Sequence, residues 1–230
     1  MRMSKGKLIV IEGTDCSGKQ TQTDILVESL KKNGYQAISF GFPNYASPTG
    51  KIIGEAYLGK HEPSYFHEGI ENVDPKISSL YYAADRAYNI DIINRYLEAG
   101  YIVVLNRYVE SNMAFQGGKI KDIKRRNMMY EWLDNLEFVL LGLPRPDYVL
   151  FLYLPYEYVC TLKEKRGKIA NANLLHMAEI AYLELSTIYD YEKINCLNKN
   201  DELRSIEEIA KEIFVKVKAF LETGDEDEFK

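Results

Sequence analysis

The sequence predicts an α/β fold in which a parallel β-sheet lies between two layers of helices. Two observations predict it. Short continuous apolar runs, of the kind found in strands buried on both faces, recur along the chain. Longer stretches with helical periodicity separate them, and strands alternating with helices form right-handed βαβ units. At 230 residues the chain suits one domain, because single cores stop growing at roughly 250–300 residues. Its 46% hydrophobic and 12% aromatic content exclude a disordered chain.

The elements follow in order. Leu8-Ile9-Val10-Ile11 is the first strand and runs into Gly13. Thr21 to Lys32 reads as a helix with Ile25, Leu26, Ser29 and Leu30 near one face and Gly34 as its stop. Ala37 to Phe42 is the second strand, ended by Pro43, and Gly50 to Leu58 suggests a short helix entered at Pro48. Asp74-Pro75 pairs an N-cap residue with proline at the first helical position and opens a helix that stops at Gly100. Tyr101 to Leu105 is the next strand. A long helix is predicted over Ile123–Leu141, ending near Gly142, and another begins near Tyr156. Tyr148 to Leu154 and Lys193 to Leu197 complete the strands, with helices over Leu174–Tyr189 and Ile206–Leu221. Ligands bind such sheets beyond the carboxyl ends of the strands. Here those ends carry Gly13-Thr14-Asp15, Phe42-Pro43 and Asn106-Arg107.

Charge and composition narrow the function. With 29 basic and 34 acidic side chains the net charge is −5, which argues against a general nucleic-acid binder. The 18 tyrosines have no basic stripe interleaved with them, so packing explains them better than base stacking. Cys16, Cys160 and Cys196 are odd in number, far apart and without zinc or disulfide spacing, as expected in a reducing cytosol. No targeting or membrane-spanning segment is visible, and the expectation is a soluble cytoplasmic protein. His61, His67 and His176 are scattered, with no metal or triad partner.

The most informative segment is Gly13-Thr14-Asp15-Cys16-Ser17-Gly18-Lys19-Gln20, which has the GxxxxGK spacing between a strand and a helix. Glycines let the backbone curl so that its N–H groups converge on phosphate oxygens at the positive end of a helix. Lys19 adds a mobile charge for the terminal phosphates. The motif asks for Ser or Thr next, as a magnesium ligand, and the chain has Gln20, with Thr21 one place late. Three readings of Gln20 stand: its amide oxygen holds the ion directly, it reaches the ion through water, or the local metal geometry is weakened.

Beyond this loop, the chain resembles the thymidylate kinase family of nucleoside monophosphate kinases over nearly its full length. The resemblance rests on Ile11-Glu12-Gly13 with Asp15, Phe42-Pro43-Asn44-Tyr45, Ala84-Asp85-Arg86, and Asn106-Arg107-Tyr108 through Ser111-Asn112. It extends to Gly142-Leu143-Pro144-Arg145-Pro146-Asp147 and Lys165-Arg166-Gly167. It implies a P-loop NTPase-type sheet in one domain, residues 1–221, with a short lid at about 163–173 and an acidic tail at 222–230. It also implies transfer of a phosphoryl group from ATP to dTMP, with Mg2+, by a cytoplasmic homodimer that binds no nucleic acid or membrane.

Residue roles follow from the same resemblance. Tyr82 and Arg86 are i and i+4 on one helix and share a face; alone, the pair reads as a core tyrosine beside a surface arginine. The resemblance makes Tyr82 the aromatic that stacks on thymine and Arg86 the reader of its carbonyls. Arg107, taken alone a strand-end arginine paired to a carboxylate, becomes the ligand of the acceptor phosphate, assisted by Tyr45, with Phe42 shaping the pocket. Ser111 and Asn112 join the acceptor side, and Phe115 packs where ribose would be excluded. Gly13 to Thr21 hold ATP together with Arg166, which belongs to a basic cluster with Lys163, Lys165 and Lys168. Asp15 holds the sugar's 3′-hydroxyl and, with Gln20, helps orient the metal. Lys19, Arg107, Arg166 and Asp15 are the residues expected to act in catalysis. Asn106 stands where the family has aspartate, keeping the shape and losing the charge. Two alternatives therefore stand: a related kinase with another acceptor, or a nucleotide-binding homologue weakened at Gln20 and Asn106. The long helices Asp74–Ala99 and Ile123–Leu141 are candidate dimer faces.

Overall fold

The computed structural model describes residues 5–167 and 171–224. Strands β1 (Leu8–Gly13), β2 (Ala37–Gly41), β3 (Ile102–Asn106), β4 (Tyr148–Tyr153) and β5 (Glu192–Asn195) form one sheet. The order is β2-β3-β1-β4-β5 and every pairing is parallel. The helices are α1 (Lys19–Lys32), α2 (Pro48–Ile52), α3 (Pro75–Glu98), α4 (Val109–Gly118), α5 (Ile123–Asp134), α6 (Tyr156–Lys165), α7 (Ala172–Ile188) and α8 (Ile206–Gly224). None of the described helices is long and apolar enough to cross a membrane.

The alternation of side chains along each strand builds two cores. Leu8 and Val10 of β1, with Val103, Leu105 and Phe151, pack against α3, α4, α5 and α7. Ile9 and Ile11, with Val104, Leu150, Leu152 and Ile194, pack against α1 and α8 on the other face. The continuous apolar runs are thus strands covered twice. The Gly142–Asp147 segment feeds β4 and ties it down: Leu8 N–H donates to the Asp147 carboxylate at 2.7 Å, and Arg145 forks onto Asp134 at 2.7 Å.

Three sequence expectations are corrected. A helix, α4, occupies Val109–Gly118, where the pattern predicts no element. The predicted helix over Ile123–Leu141 is α-helical only to Asp134 and widens into a π-helical turn over Asn135–Leu140. A similar turn, Ile53–Tyr57, follows α2. Finally, α8 runs on to Gly224, so the tail expected from 222 begins inside a helix, and residues 225–230 lie outside the described residues. Of the basic cluster, Lys163 and Lys165 are in the last turn of α6 and Arg166 caps it, while Lys168 lies outside the described residues.

Candidate active site

β1 delivers the chain into the glycine loop at the sheet's carboxyl edge. A side chain on Gly13 would meet the carbonyl oxygen of Leu152 at 2.4 Å, so only glycine lets β1 turn this closely past β4. Gly18, with φ 84°, caps α1 without any side-chain hydrogen bond, leaving the helix's first N–H groups free for an anion. Lys19 folds back over this loop and donates to the carbonyls of Gly13 and Thr14 at 2.9 and 2.7 Å. Burial, reinforced by the nearby Arg107 charge, pulls its ammonium down to about 7.

Two residues in the loop region take backbone angles that side chains rarely adopt: Cys16 (φ 61°) and Arg107 (φ 66°). At Arg107 this turn aims the guanidinium across the edge, where it donates to Asp15 at 2.8 Å, to Ser111 at 3.2 Å and to Tyr182 at 3.4 Å. Lys163 of α6 pairs with the other Asp15 oxygen at 2.7 Å. Burial alone would raise the Asp15 carboxyl. The charges of Arg107, Lys19 and Lys163 outweigh it and hold the group well below the usual carboxylate range. Arg166 approaches Cys16, its Nη1 4.0 Å from the sulfur.

Arg107 also forms part of a cavity of about 430 Å³, lined by every residue assigned to the acceptor side: Asp15, Phe42, Tyr45, Tyr82, Arg86, Arg107, Ser111, Asn112 and Phe115. The i, i+4 spacing of Tyr82 and Arg86 does place both on its wall. Arg86 is only 2% exposed, so the surface-arginine reading is excluded. Its Nε and Nη2 donate to Glu137, the latter at 2.6 Å, and Nη1 donates to the Tyr108 carbonyl at 3.3 Å. Burial disfavours its charge, and Glu137 more than offsets this, raising it above the ordinary arginine value. Asp85 does not face the cavity. It accepts from Asn44 N–H, Ser47, Thr49 and Asn89 at 2.7–3.0 Å and anchors the Phe42–Thr49 turn.

Several site residues were not anticipated. Glu12, fully buried, accepts from Tyr108 N–H, Ser111 N–H, the Ser111 hydroxyl and the Tyr182 hydroxyl at 2.7–3.0 Å. It therefore caps α4 from a strand about a hundred residues earlier. Glu137 sits in the π-helical turn and bonds Arg86 and Asn112 together. Gln116, one turn beyond Asn112 on α4, lines the cavity with an unpartnered buried carbonyl oxygen, as does Asn112. The i, i+4 spacing of Asn112 and Gln116 was a usable signal once α4 is recognised.

Magnesium, which the resemblance implies, prefers oxygen ligands and keeps most of its own waters. Gln20 and Asp15 are not joined by any hydrogen bond or ion pair among the described residues. Asp15 is committed to cations, and the Gln20 amide oxygen accepts from Asn106 at 2.7 Å while its nitrogen donates to Asp24 at 2.9 Å. Asn106 retains a buried Oδ1 with no donor. The corner thus fits an ion carried mainly by water and phosphate, with Asn106 Oδ1 and Gln20 Oε1 as neutral acceptors toward its shell.

Glu110, on the first turn of α4, is buried, and its Oε2 has no hydrogen-bond partner. Burial, with the neighbouring Glu12 charge, pushes its carboxyl up to about 8. A folded-state value above the unfolded one means that the folded protein holds the extra proton. The stability this gives is complete below the unfolded value, ~4.3, and is lost as pH rises through about 8. Glu110→Gln is therefore expected to melt with wild type near pH 4.5 and roughly 10 °C above it at pH 9. Thermal scans at both values check this, and an equal gap at the two pH values contradicts it.

The comparisons with known proteins agree with this geometry. A sequence model described as "Thymidylate kinase" matches residues 11–213. The chain belongs to the thymidylate kinase family. It is 34% identical to the thymidylate kinase of Homo sapiens over 154 residues, covering 67% of this chain and 64% of that one. Against the Schizosaccharomyces pombe enzyme it is 33% identical, covering 66% and 62%, so the match spans somewhat less than two thirds of these relatives' own length. The Exiguobacterium sp. thymidylate kinase is 33% identical, with 71% of each chain covered. Among solved structures, that of Candida albicans thymidylate kinase has a TM-score of 0.69 at 22% identity, covering 94% of this chain and 92% of its own. It shares the family's fold: a parallel five-stranded sheet flanked by helices, with the P-loop at the end of β1.

Proposed function

We propose that the protein is a thymidylate kinase, transferring the γ-phosphoryl group of ATP to dTMP to give ADP and dTDP. The observation that carries this reading is the position of Arg107, which bonds the glycine loop at Asp15 and at the same time lines the cavity holding Tyr82 and Arg86. An oxygen of the acceptor phosphate attacks the γ-phosphorus in line. The bond to the β–γ bridging oxygen breaks, and ADP leaves with the electron pair. No general base is needed, because the acceptor phosphate is already anionic at neutral pH. Catalysis is then positioning and charge neutralisation. Lys19 and the loop amides hold the donor phosphates, Arg107 the acceptor phosphate, and Arg166 with Lys163 closes over the transferring group and excludes water. Bound magnesium supplies further charge neutralisation on the donor phosphates. At the far end, Tyr82 stacks on the base while Arg86, Asn112 and Gln116 meet its polar edge.

In this reading the protein is a single cytoplasmic domain that reaches at least to the end of α8 at Gly224, with a lid at about 163–173, and that binds neither nucleic acid nor membrane. A homodimer through α3 and α5 is supported by the exposed row Ile77, Leu80, Tyr88 and Ile92, spaced along one side of α3, and by exposed Met128 on α5.

A coupled ADP-release assay across dTMP, dUMP, dCMP, AMP and thymidine tests the reading. Strong preference for dTMP is expected, and preference for another acceptor rejects it. The mutual bonding of Gln20 and Asn106 favours a second reading, a binding protein with little turnover. Tight ATP and dTMP binding without ADP release at saturating magnesium would select that one.

A further inference from the structure

One wall of the cavity is made by a segment without regular structure. Residues 58–74 run from the π-helical turn after α2 to the start of α3 and contribute Leu58 and Ile70 to the cavity. Their apolar support is small: the cluster there has only Ile53, Tyr57 and Val73 fully buried, with Leu58, Phe66, Ile70, Tyr81 and Tyr82 packed on it. Segments with so few buried apolar contacts open at low free energy, so their polar ties decide where they rest.

Lys60 N–H, Tyr65 N–H and the Ser64 hydroxyl tie the first half of the segment back to Gly54, Ala56 and Tyr57, whereas the ties of its last residues converge on one side chain. Lys119, at the C-terminal cap of α4, sends its ammonium across to the segment. It donates to the carbonyls of Ile70 at 2.6 Å and Val73 at 3.1 Å and to the Ser78 hydroxyl at 3.2 Å. Tyr57 repeats the pattern, its hydroxyl lying 3.3 Å from the Ile70 carbonyl oxygen, to which it donates, and 2.9 Å from the Ser78 hydroxyl. Lys119 itself lines the cavity beside Gln116. An ammonium has three donors and all three are spent on protein acceptors, so the group has none left for a ligand. Burial works against its charge, and Glu71 and Asp74 of the same stretch work for it, so the charge both fastens the segment and is kept by it.

We propose that Lys119 is a positioning residue for the acceptor site, its ammonium pinning residues 70–73 of the chain against α4 so that Ile70 holds its place in the wall around the acceptor's base. The proposal rests on the kinase reading above for the identity of the acceptor, though not for the pinning itself.

Lys119→Met keeps the stem and removes every donor. In steady-state kinetics it is expected to raise the acceptor KM by at least ~10-fold, with kcat within ~3-fold and the ATP KM within ~2-fold of wild type. In the ligand-free protein, amide hydrogen exchange across 70–74 should speed up by at least ~10-fold while β1 and β3 stay unchanged. Lys119→Arg should recover most of both effects, and Ser78→Ala, which removes one acceptor, should move both the same way by less. An unchanged exchange rate in Lys119→Met shows that the aromatic cluster alone holds the segment and overturns the proposal. Faster exchange with an unchanged acceptor KM overturns it as well, because the wall then plays no part in binding. A matching rise in the ATP KM points to general loosening and equally overturns it. Should wild type reject dTMP and accept another nucleotide, the substrate reading fails while the exchange arm, and the KM comparison on the accepted nucleotide, still judge the pinning.

Discussion

Glu137→Ala is expected to lower the unfolding free energy by about 3–5 kcal/mol, the usual cost of leaving one member of a buried ion pair alone. Arg86 is 2% exposed and Glu137 is 0% exposed, so water cannot replace the lost partner. For a domain of this size the melting temperature should fall by roughly 10 °C. Stability and function separate in a second variant. Arg86→Met combined with Glu137→Leu removes both charges and should recover much of the stability, since apolar replacements of buried pairs are often neutral. It should not recover acceptor binding, because the guanidinium proposed to meet the base is gone. Urea titrations with acceptor binding by calorimetry check both parts. A loss below about 1 kcal/mol in Glu137→Ala would show that the pair is solvated after all.

Lys19→Met carries the second large effect: turnover should fall by at least ~10²–10³-fold, the range for losing one preorganised donor to developing charge, with acceptor affinity changed little. The ammonium's low value adds a signature that a merely structural lysine lacks. In the ligand-free protein it titrates at about 7, so at pH 8 most of the population is neutral. A triphosphate stabilises the charged form and raises that value. ATP binding at pH 8 should therefore take up close to one proton, seen as a dependence of the calorimetric enthalpy on buffer ionisation. Lys19→Met should abolish the uptake, and wild-type binding without uptake would mean that the lysine is already fully charged.

How much of this was readable beforehand divides along physical lines. The strands were, because double burial writes a continuous apolar run into β1, β3 and β4. So was the start of α3, because Asp74 and Pro75 are a local cap, the Asp74 carboxylate accepting from Lys76 N–H at 2.8 Å. The helix α4 was not. Tyr108 at its N-cap provides no side-chain bond, Gly117 and Gly118 end it, and its free N–H groups go to Glu12 on another strand. Glu137 was hidden for a related reason: an α-helical reading of its segment misplaces the face it presents, and the π-helical turn is what directs it at Arg86. Features fixed by neighbours in sequence were visible, and those fixed by partners distant in the chain were not. On the acceptor wall, Tyr82 and Arg86 came from helical spacing plus resemblance, whereas Gln116 and Lys119 waited on α4.

The four donors gathered by Glu12 have one more implication. That carboxylate belongs to the strand that launches the phosphate loop, yet it grips the backbone just after Arg107 and the hydroxyl of Tyr182 on α7. The glycine loop and the Arg107 turn at the cavity's edge thus share a single pivot. A change at that one carboxylate is therefore expected to disturb the loop's strand and the Arg107 turn together.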